Sequence, residues 1–168
     1  MRKELDEALC KSYPKIFRDH AMFLGSECDD GWYNILNMAC ASIQGHINQT
    51  RAQRARALRY NRALRRAVRG DVRPLQMHFT FDKYATEPSE YGIQQAAKVL
   101  EDIEPQCKRV PEACPQVIAT QIKEKFGTLR FYVAGYDDYV QGAITMAEAQ
   151  SGYTCEYCGN VVTRISGG

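Results

Sequence analysis

Apolar residues recur at helical spacing along the stretch that follows Gly31. One face of an amphipathic helix would collect Trp32, Ile35, Leu36, Ala39, Cys40, Ile43 and Ile47. Asp29 or Asp30 is suited to cap the start of this helix. The pattern therefore predicts a helix from about residue 31 whose apolar stripe faces the core.

The same helix, or a second one after a kink, is predicted to continue through residues 51–69. Its apolar face holds Ala57, Tyr60, Leu64, Ala67 and Val68. The opposite arc holds Arg51, Arg59, Arg62, Arg65, Arg66 and Arg69. Gly70 is typical of a helix stop. A short strand at Met77–Phe81 and an amphipathic helix with Ile93, Ala96, Ala97, Leu100 and Ile103 follow, and then a proline-rich loop.

Alternation of apolar and polar residues marks residues 128–133 as β structure. Leu129, Phe131 and Val133 alternate with Thr128, Arg130 and Tyr132, as in a half-buried strand. In the segment before it, Ile118, Ile122 and Phe126 are spaced by four, which fits either a strand face or a helix face. The pattern favours two strands that turn near Gly127. The set Val140, Ala143, Ile144 and Ala147 predicts a further helix that ends near Gly152.

Together these elements predict a single α+β domain over residues 1–168. In this interpretation a long N-terminal helical region packs on a small antiparallel sheet built from Val117 to Val133. A C-terminal helix and a cysteine knuckle complete it.

Composition excludes several classes of protein. The chain has 168 residues, 45% hydrophobic and 25% charged, with a formal net charge of +2. It lacks an apolar run of about 18 residues, so no transmembrane helix is expected. The start "MRKELDEALCKSYPK" has no apolar segment typical of a secretion signal, which predicts a cytoplasmic protein. Its seven cysteines, an odd number, argue against a disulfide framework.

Local charge is more informative than net charge. Nine arginines lie between Arg51 and Arg73, against one acid, Asp71. Guanidinium groups bind phosphates through a planar fork of donors. The candidate anion-binding residues are Arg59, Arg62, Arg65, Arg66 and Arg69, with Tyr60 and nearby aromatics able to stack on bases. The alternative is a solvated helix face that pairs with Glu101, Asp102 and Glu104.

The C-terminal segment contains Cys155-Glu-Tyr-Cys158-Gly159, a spacing typical of half a zinc site. Zinc needs about four ligands. Cys107 and Cys114, in the proline-rich loop, are the best partners in the sequence, and a second chain is another source. The alternative is a knuckle without metal, with two thiols.

Three stretches in this order resemble a widespread family of uncharacterised proteins carried by phages, prophages and bacteria. They are "ECDDGWYNILNMACASIQGHI", "QIKEKFGTLRFYV" with "DDYVQGAITMAEAQS", and "TCEYCG". The resemblance implies a phage context and no biochemical activity, and it makes residues 51–113 a variable insertion. Family members continue past the knuckle with a Gly-Trp pair and a second pair of ligands. Ser166-Gly167-Gly168 stands there instead, which implies a shortened or truncated chain.

Other candidate residues are weaker. Lys123, Lys125 and Arg130 surround the predicted turn and could line a ligand site, although a charged solvent face explains them as well. His20, His46 and His78 are isolated in the sequence and are interpreted as packed or surface residues. No nucleophile, phosphate-loop or His-Glu-x-x-His motif is present, so the sequence favours a protein that is not an enzyme.

Three functions are compatible with these features. The first is a phage-encoded binding protein that sequesters a phosphate-bearing nucleotide, such as a host defence signal, as an oligomer with pockets. The second is an accessory protein that binds nucleic acid. The third is an inhibitor that blocks a host protein through its arginine face.

Overall fold

A computed structural model describes residues 1–18, 25–102 and 106–162, and they form an α+β fold. Within these residues the helices are α1 (Lys3–Ser12), α2 (Tyr33–Ala67), α3 (Arg73–His78), α4 (Glu90–Leu100) and α5 (Asp138–Ser151). The strands are β1 (Ser26–Glu27), β2 (Ile118–Lys125) and β3 (Thr128–Ala134). None of the helices in the described part is long and apolar enough to cross a membrane. His20, Ile103 and Glu104 lie outside the described residues.

Chain contacts divide the protein into two compact units. Unit 1 combines Met1–Gln49 with Cys114–Gly168, and unit 2 is Thr50–Ala113. Unit 2 covers almost the same residues as the predicted insertion. That this region varies among relatives stays a prediction.

The core of unit 1 confirms the apolar stripe predicted for the first half of α2. All seven of its residues are buried, and they cluster with Ile122, Leu129 and Phe131 of the sheet and Val140 and Ile144 of α5. Trp32 anchors this core with 1% of its surface exposed. The predicted caps are wrong in detail. Asp29 makes no side-chain cap, and the Asp30 carboxylate instead accepts the backbone N–H of Arg2 at 2.7 Å.

The predicted hairpin is confirmed. β2 and β3 pair antiparallel, with Ile122 opposite Phe131 and Lys123 opposite Arg130. Phe126 and Gly127 turn the chain with φ of 54° and 73°, the positive values that two-residue hairpin turns require. The sheet is mixed rather than purely antiparallel, because β1 pairs parallel with β2. A strand of two residues is too short to leave a readable alternation.

Two side chains of α5 occupy the free edge of β3. The Ser151 Oγ accepts the backbone N–H of Leu129 at 2.8 Å, and the Glu148 carboxylate accepts that of Phe131 at 3.0 Å. Unpaired N–H groups at a sheet edge otherwise invite pairing with another chain. α5 therefore completes the sheet as well as covering it.

Unit 2 is helical and has its own small core. Tyr60, Ala63, Leu64 and Ala67 of α2 pack with Leu75 of α3 and Ala96 of α4. α2 is one uninterrupted helix of 35 residues. Val68 lies beyond its end and is exposed, not part of the apolar face.

The strand predicted at Met77–Phe81 is wrong, because this segment ends α3. Pro74 lies in the first turn, where a missing N–H costs nothing. Leu75 and Gln76 both donate backbone N–H groups to the Val72 carbonyl at 3.1 Å, which begins the helix. The buried Leu75 then fixes α3 against α4.

Candidate functional site

A concave groove of about 670 Å³ lies in unit 2, beside the arginine face of α2. Its helical wall is formed by Arg56, Arg59, Arg62 and Arg66, at successive spacings of three or four residues. Such spacing aligns side chains along one face of a helix. The other wall comes from α3 and the segment after it, with Pro74, Met77, His78, Thr80, Phe81 and Lys83. We call this feature the arginine groove.

Three of the groove arginines lack an acidic partner. Within the described residues, no carboxylate lies within 4.0 Å of the guanidinium groups of Arg56, Arg59 or Arg62. Arg66 differs, because its Nε donates to Asp71 at 2.8 Å. A solvated helix face is predicted to pair with Glu101 and Asp102. Among the described residues, neither acid forms an ion pair with these three arginines. Positive charge therefore remains available to a ligand.

Aromatic and imidazole groups complete the groove. The Phe81 ring is 80% exposed and lies 5.4 Å from the Tyr91 ring, centroid to centroid. A flat apolar face at the rim of a cationic groove is a typical stacking platform for a base. Burial, and then the charges of Lys108, Arg56 and Arg59, lower the pKa of His78. His78 is thus a neutral donor or acceptor at pH 7.

The structure separates the predicted anion-binding residues. Arg59, Arg62 and Arg66 line the groove, whereas Arg65 on α2 and Arg69 just beyond the end of α2 are exposed outside it. Tyr60 does not face the groove as a stacking ring. It is buried, packs edge-on against His78 and Phe79, and carries the Lys108 ammonium 4.3 Å from its ring centre.

Unit 1 holds a second cluster of chemically active groups: His46 on α2, Cys114 before β2, and Asp137 at the start of α5. One ligand atom from each lies within 4.8 Å of the other two, and this triad can hold a metal ion. His46 Nε2 and Asp137 Oδ2 are 2.8 Å apart. We call these three residues the His-Cys-Asp cluster.

Hydrogen bonding determines the charge state of Asp137 in the cluster. Burial on its own would raise the pKa of this carboxyl. Hydrogen bonds from His46, from the Val140 amide and from Cys114 outweigh it and lower the pKa. Asp137 is therefore a carboxylate at neutral pH, and its side chain caps α5 by accepting the Val140 amide.

The cysteine knuckle is folded and packed onto the start of α2. The Gly31 amide donates to the Glu156 carbonyl at 2.6 Å, and the Trp32 indole donates to the Thr154 carbonyl at 2.9 Å. A Cβ on Gly31 would lie 2.2 Å from the Cys155 carbonyl oxygen, so only glycine permits this approach. Backbone amides of Cys158 and Tyr157 hydrogen-bond to the Cys155 thiol and lower its pKa.

The predicted zinc ligands are divided between the two units. Cys114 belongs to the His-Cys-Asp cluster, and Cys107 is exposed in unit 2. In the described ranges, no third His, Cys, Asp or Glu joins Cys155 and Cys158 in a group able to hold a metal. The knuckle is thus a half-site as far as the structure describes it.

The hairpin candidates form a separate surface in unit 1. Lys123 and Arg130 are register partners on the sheet face away from Ile122 and Phe131. Arg130 lies 4.0 Å from Glu148, and Lys123 lies over the Tyr132 ring at 5.5 Å. Lys125 is exposed beside the turn, 5.3 Å from the Phe126 ring. Each of these cations therefore has a charged or aromatic neighbour within unit 1.

Sequence reasoning missed Arg56, Lys83 and the association of His46 with Asp137. Arg56 precedes Arg59 by three residues, a spacing that could have identified it. Lys83 follows the segment misassigned as a strand. His46 and Asp137 are 91 residues apart, and nothing local in the sequence joins them.

Comparison with known proteins adds no relative. No family model, no curated protein and no solved structure matches this chain.

Proposed function

We propose that unit 2 binds a phosphate-bearing nucleotide in the arginine groove and that the protein acts by sequestering this ligand without converting it. The observation that carries the proposal is the groove itself: Arg56, Arg59 and Arg62 have no acidic partner among the described residues and surround a concavity of about 670 Å³. Small-molecule sites typically enclose about 300–1,000 Å³. A nucleotide offers phosphates to the arginines and a base to Phe81.

The resemblance to phage proteins gives this proposal its biological setting. A phage-encoded protein that captures a nucleotide defence signal would act in the cytoplasm of the bacterial host. Capture needs affinity and abundance rather than catalytic groups. Oligomers with several grooves would raise the capacity of each particle.

Calorimetry with paired charge reversals tests the proposal. The probes are ATP, cyclic di-AMP and adenosine, and the variant Arg59→Glu/Arg62→Glu is compared with Arg65→Glu/Arg69→Glu. Both variants change the charge equally within the same arginine-rich segment, but only the first alters residues that line the groove. We expect saturable binding of a phosphate-bearing probe, weakened about 100-fold or more by the groove variant, because charged hydrogen bonds contribute about 1.5–3 kcal/mol each.

Two results would contradict nucleotide binding. One is that neither ATP nor cyclic di-AMP binds. The other is that both double variants weaken binding equally, which would indicate a diffuse charge effect.

Nucleic acid is the second candidate, and the exposed Arg65 and Arg69 favour it because they extend the basic surface beyond the groove. Each phosphate neutralised on a duplex releases counterions, so affinity for DNA would fall steeply with salt. Both double variants would then weaken DNA binding. An inhibitor of a host protein would bind neither ATP nor DNA.

We also propose that Cys155 and Cys158 bind zinc together with ligands from a second chain. Support comes from the folded knuckle, in which backbone amides already hydrogen-bond to the Cys155 sulfur as they would to a thiolate ligand. Zinc binding would then require dimer formation. Removal of zinc by a chelator should convert dimer to monomer in size-exclusion chromatography, and a Cys155→Ser/Cys158→Ser variant should be monomeric from the start. A dimer unchanged in both experiments would overturn this proposal.

A further inference from the structure

The His-Cys-Asp cluster brings together three kinds of metal ligand from three separate segments of unit 1. His46 offers an imidazole nitrogen from α2, Cys114 a sulfur from the segment before β2, and Asp137 a carboxylate oxygen from the first turn of α5. The donor atoms lie within 4.8 Å of one another. Nothing in the arginine groove or the knuckle uses these residues.

Neighbouring groups hold Asp137 and His46 in place. Asp137 Oδ1 accepts the Val140 amide at 3.1 Å, which leaves Oδ2 directed to the cluster. The His46 ring stacks on Tyr139 with centroids 4.1 Å apart and planes inclined by 15°. The Tyr139 hydroxyl is in turn 3.0 Å from the Ser42 hydroxyl. Support of this kind is what orients metal ligands in proteins.

We propose that His46, Cys114 and Asp137 bind one divalent transition-metal ion of the zinc class, with a fourth coordination position open to solvent. Nitrogen, sulfur and carboxylate donors together suit zinc and cobalt rather than magnesium or calcium. Three protein ligands with an open position are the arrangement of catalytic rather than structural zinc sites.

The His46–Asp137 pair needs only a small adjustment to admit the ion. Tetrahedral zinc holds these donors at about 2.0–2.3 Å, which separates the ligand atoms by about 3.3–3.6 Å. His46 Nε2 and Asp137 Oδ2, now 2.8 Å apart, would move apart by about half an ångström to this spacing. Their side chains are 17% and 36% exposed, so an ion and a water ligand have a route in, while Cys114 at 4% exposed forms the inner wall.

Cobalt titration tests the site, because a cysteine ligand produces a sulfur-to-cobalt charge-transfer absorption. The titration uses the full chain with Cys155→Ser/Cys158→Ser, so that the knuckle thiolates cannot contribute. We expect this protein to retain the charge-transfer band. Adding Cys114→Ala should abolish the band, whereas the matched control Cys107→Ala, at an exposed cysteine of unit 2, should leave it intact.

Asp137→Asn separates the ligand role from the structural one. Asparagine is as good a helix cap as aspartate, so α5 should keep its start, but the carboxylate ligand is lost. We expect cobalt affinity to fall by more than about tenfold, the smaller end of the effect of removing even an outer-shell partner. Unchanged affinity in this variant would overturn the proposal.

X-ray absorption provides a readout that needs no variant within the cluster. The zinc-loaded Cys155→Ser/Cys158→Ser protein should show one sulfur and two or three nitrogen or oxygen neighbours. Zinc that is not retained, or that has only nitrogen and oxygen neighbours, would show that the cluster is a hydrogen-bonded group without a metal.

Discussion

Arg56, Arg59 and Arg62 differ from Arg66 of the same helix in what surrounds their guanidinium groups. Arg66 is neutralised by Asp71. The other three have no carboxylate within 4.0 Å in the described residues, and they face a concave surface. A single arginine on a convex surface is solvated by water at little cost. Three guanidinium groups that line the same groove repel one another. An anion in the groove would relieve this repulsion.

The pKa of His78 depends on the positive charges of the groove. Its pKa is lowered by burial and by Lys108, Arg56 and Arg59. The pKa of His78 is lower in the folded protein than in the unfolded chain, where it is about 6.5. The stability that neutral His78 contributes is therefore fully present above pH about 6.5. It is lost as the pH falls through the folded pKa. We therefore expect a His78→Gln variant to lose less stability than the wild type on acidification below pH about 6.5.

Ligand binding should move the His78 pKa in the opposite direction. Phosphates beside Arg56 and Arg59 would offset two of the charges that lower it, so NMR titration of the His78 ring should give a higher pKa with ATP than without. A His78 pKa that ATP leaves unchanged would place the phosphates elsewhere.

At the level of elements, the stretches around Trp32, in the hairpin with α5, and in the knuckle contact one another. The Gly31–Trp32 turn receives the knuckle, and α5 supplies the hydrogen-bond acceptors for the edge of β3. All of them belong to unit 1. These contacts assemble one unit, and they do not involve the residues of the arginine groove.

Ser151 tests this role of α5. Its side chain is 1% exposed and accepts the buried Leu129 amide. Ser151→Ala leaves that amide without its acceptor, and we expect the free energy of unfolding to fall by about 1–3 kcal/mol. Thr145→Ala is the matched control, because the exposed Thr145 hydroxyl bonds only within α5. Equal stability of the two variants in urea denaturation would contradict the role given to Ser151.

The sequence predicts those elements whose structure is determined by residues close to one another in the chain. The stripe of α2, the hairpin at Gly127 and α5 all follow from local periodicity, and all three are confirmed. α3 was misassigned because its six residues give less than two turns of pattern, and the buried Leu75 decides its structure. β1 and the His-Cys-Asp cluster depend on contacts between distant segments, and local periodicity carries no trace of them.

In the molecule as a whole, positive charge is concentrated in one segment although the net charge is small. The formal net charge is only +2, yet nine arginines against one acid fall between Arg51 and Arg73. Those residues belong to unit 2, whereas the His-Cys-Asp cluster and the knuckle belong to unit 1. Each unit therefore carries its own candidate site. Variants that abolish nucleotide binding in unit 2 should leave metal binding in unit 1 measurable, and the reverse should also hold.

Native mass spectrometry of the freshly purified protein, compared with its denatured mass, tests the central claim most directly. We expect the wild type, incubated with ATP or cyclic di-AMP, to carry a mass excess of one nucleotide per chain. Arg65→Glu/Arg69→Glu should carry the same excess, and Arg59→Glu/Arg62→Glu should carry none. No nucleotide excess in the wild type, or an equal excess in the groove variant, would contradict nucleotide binding in the arginine groove.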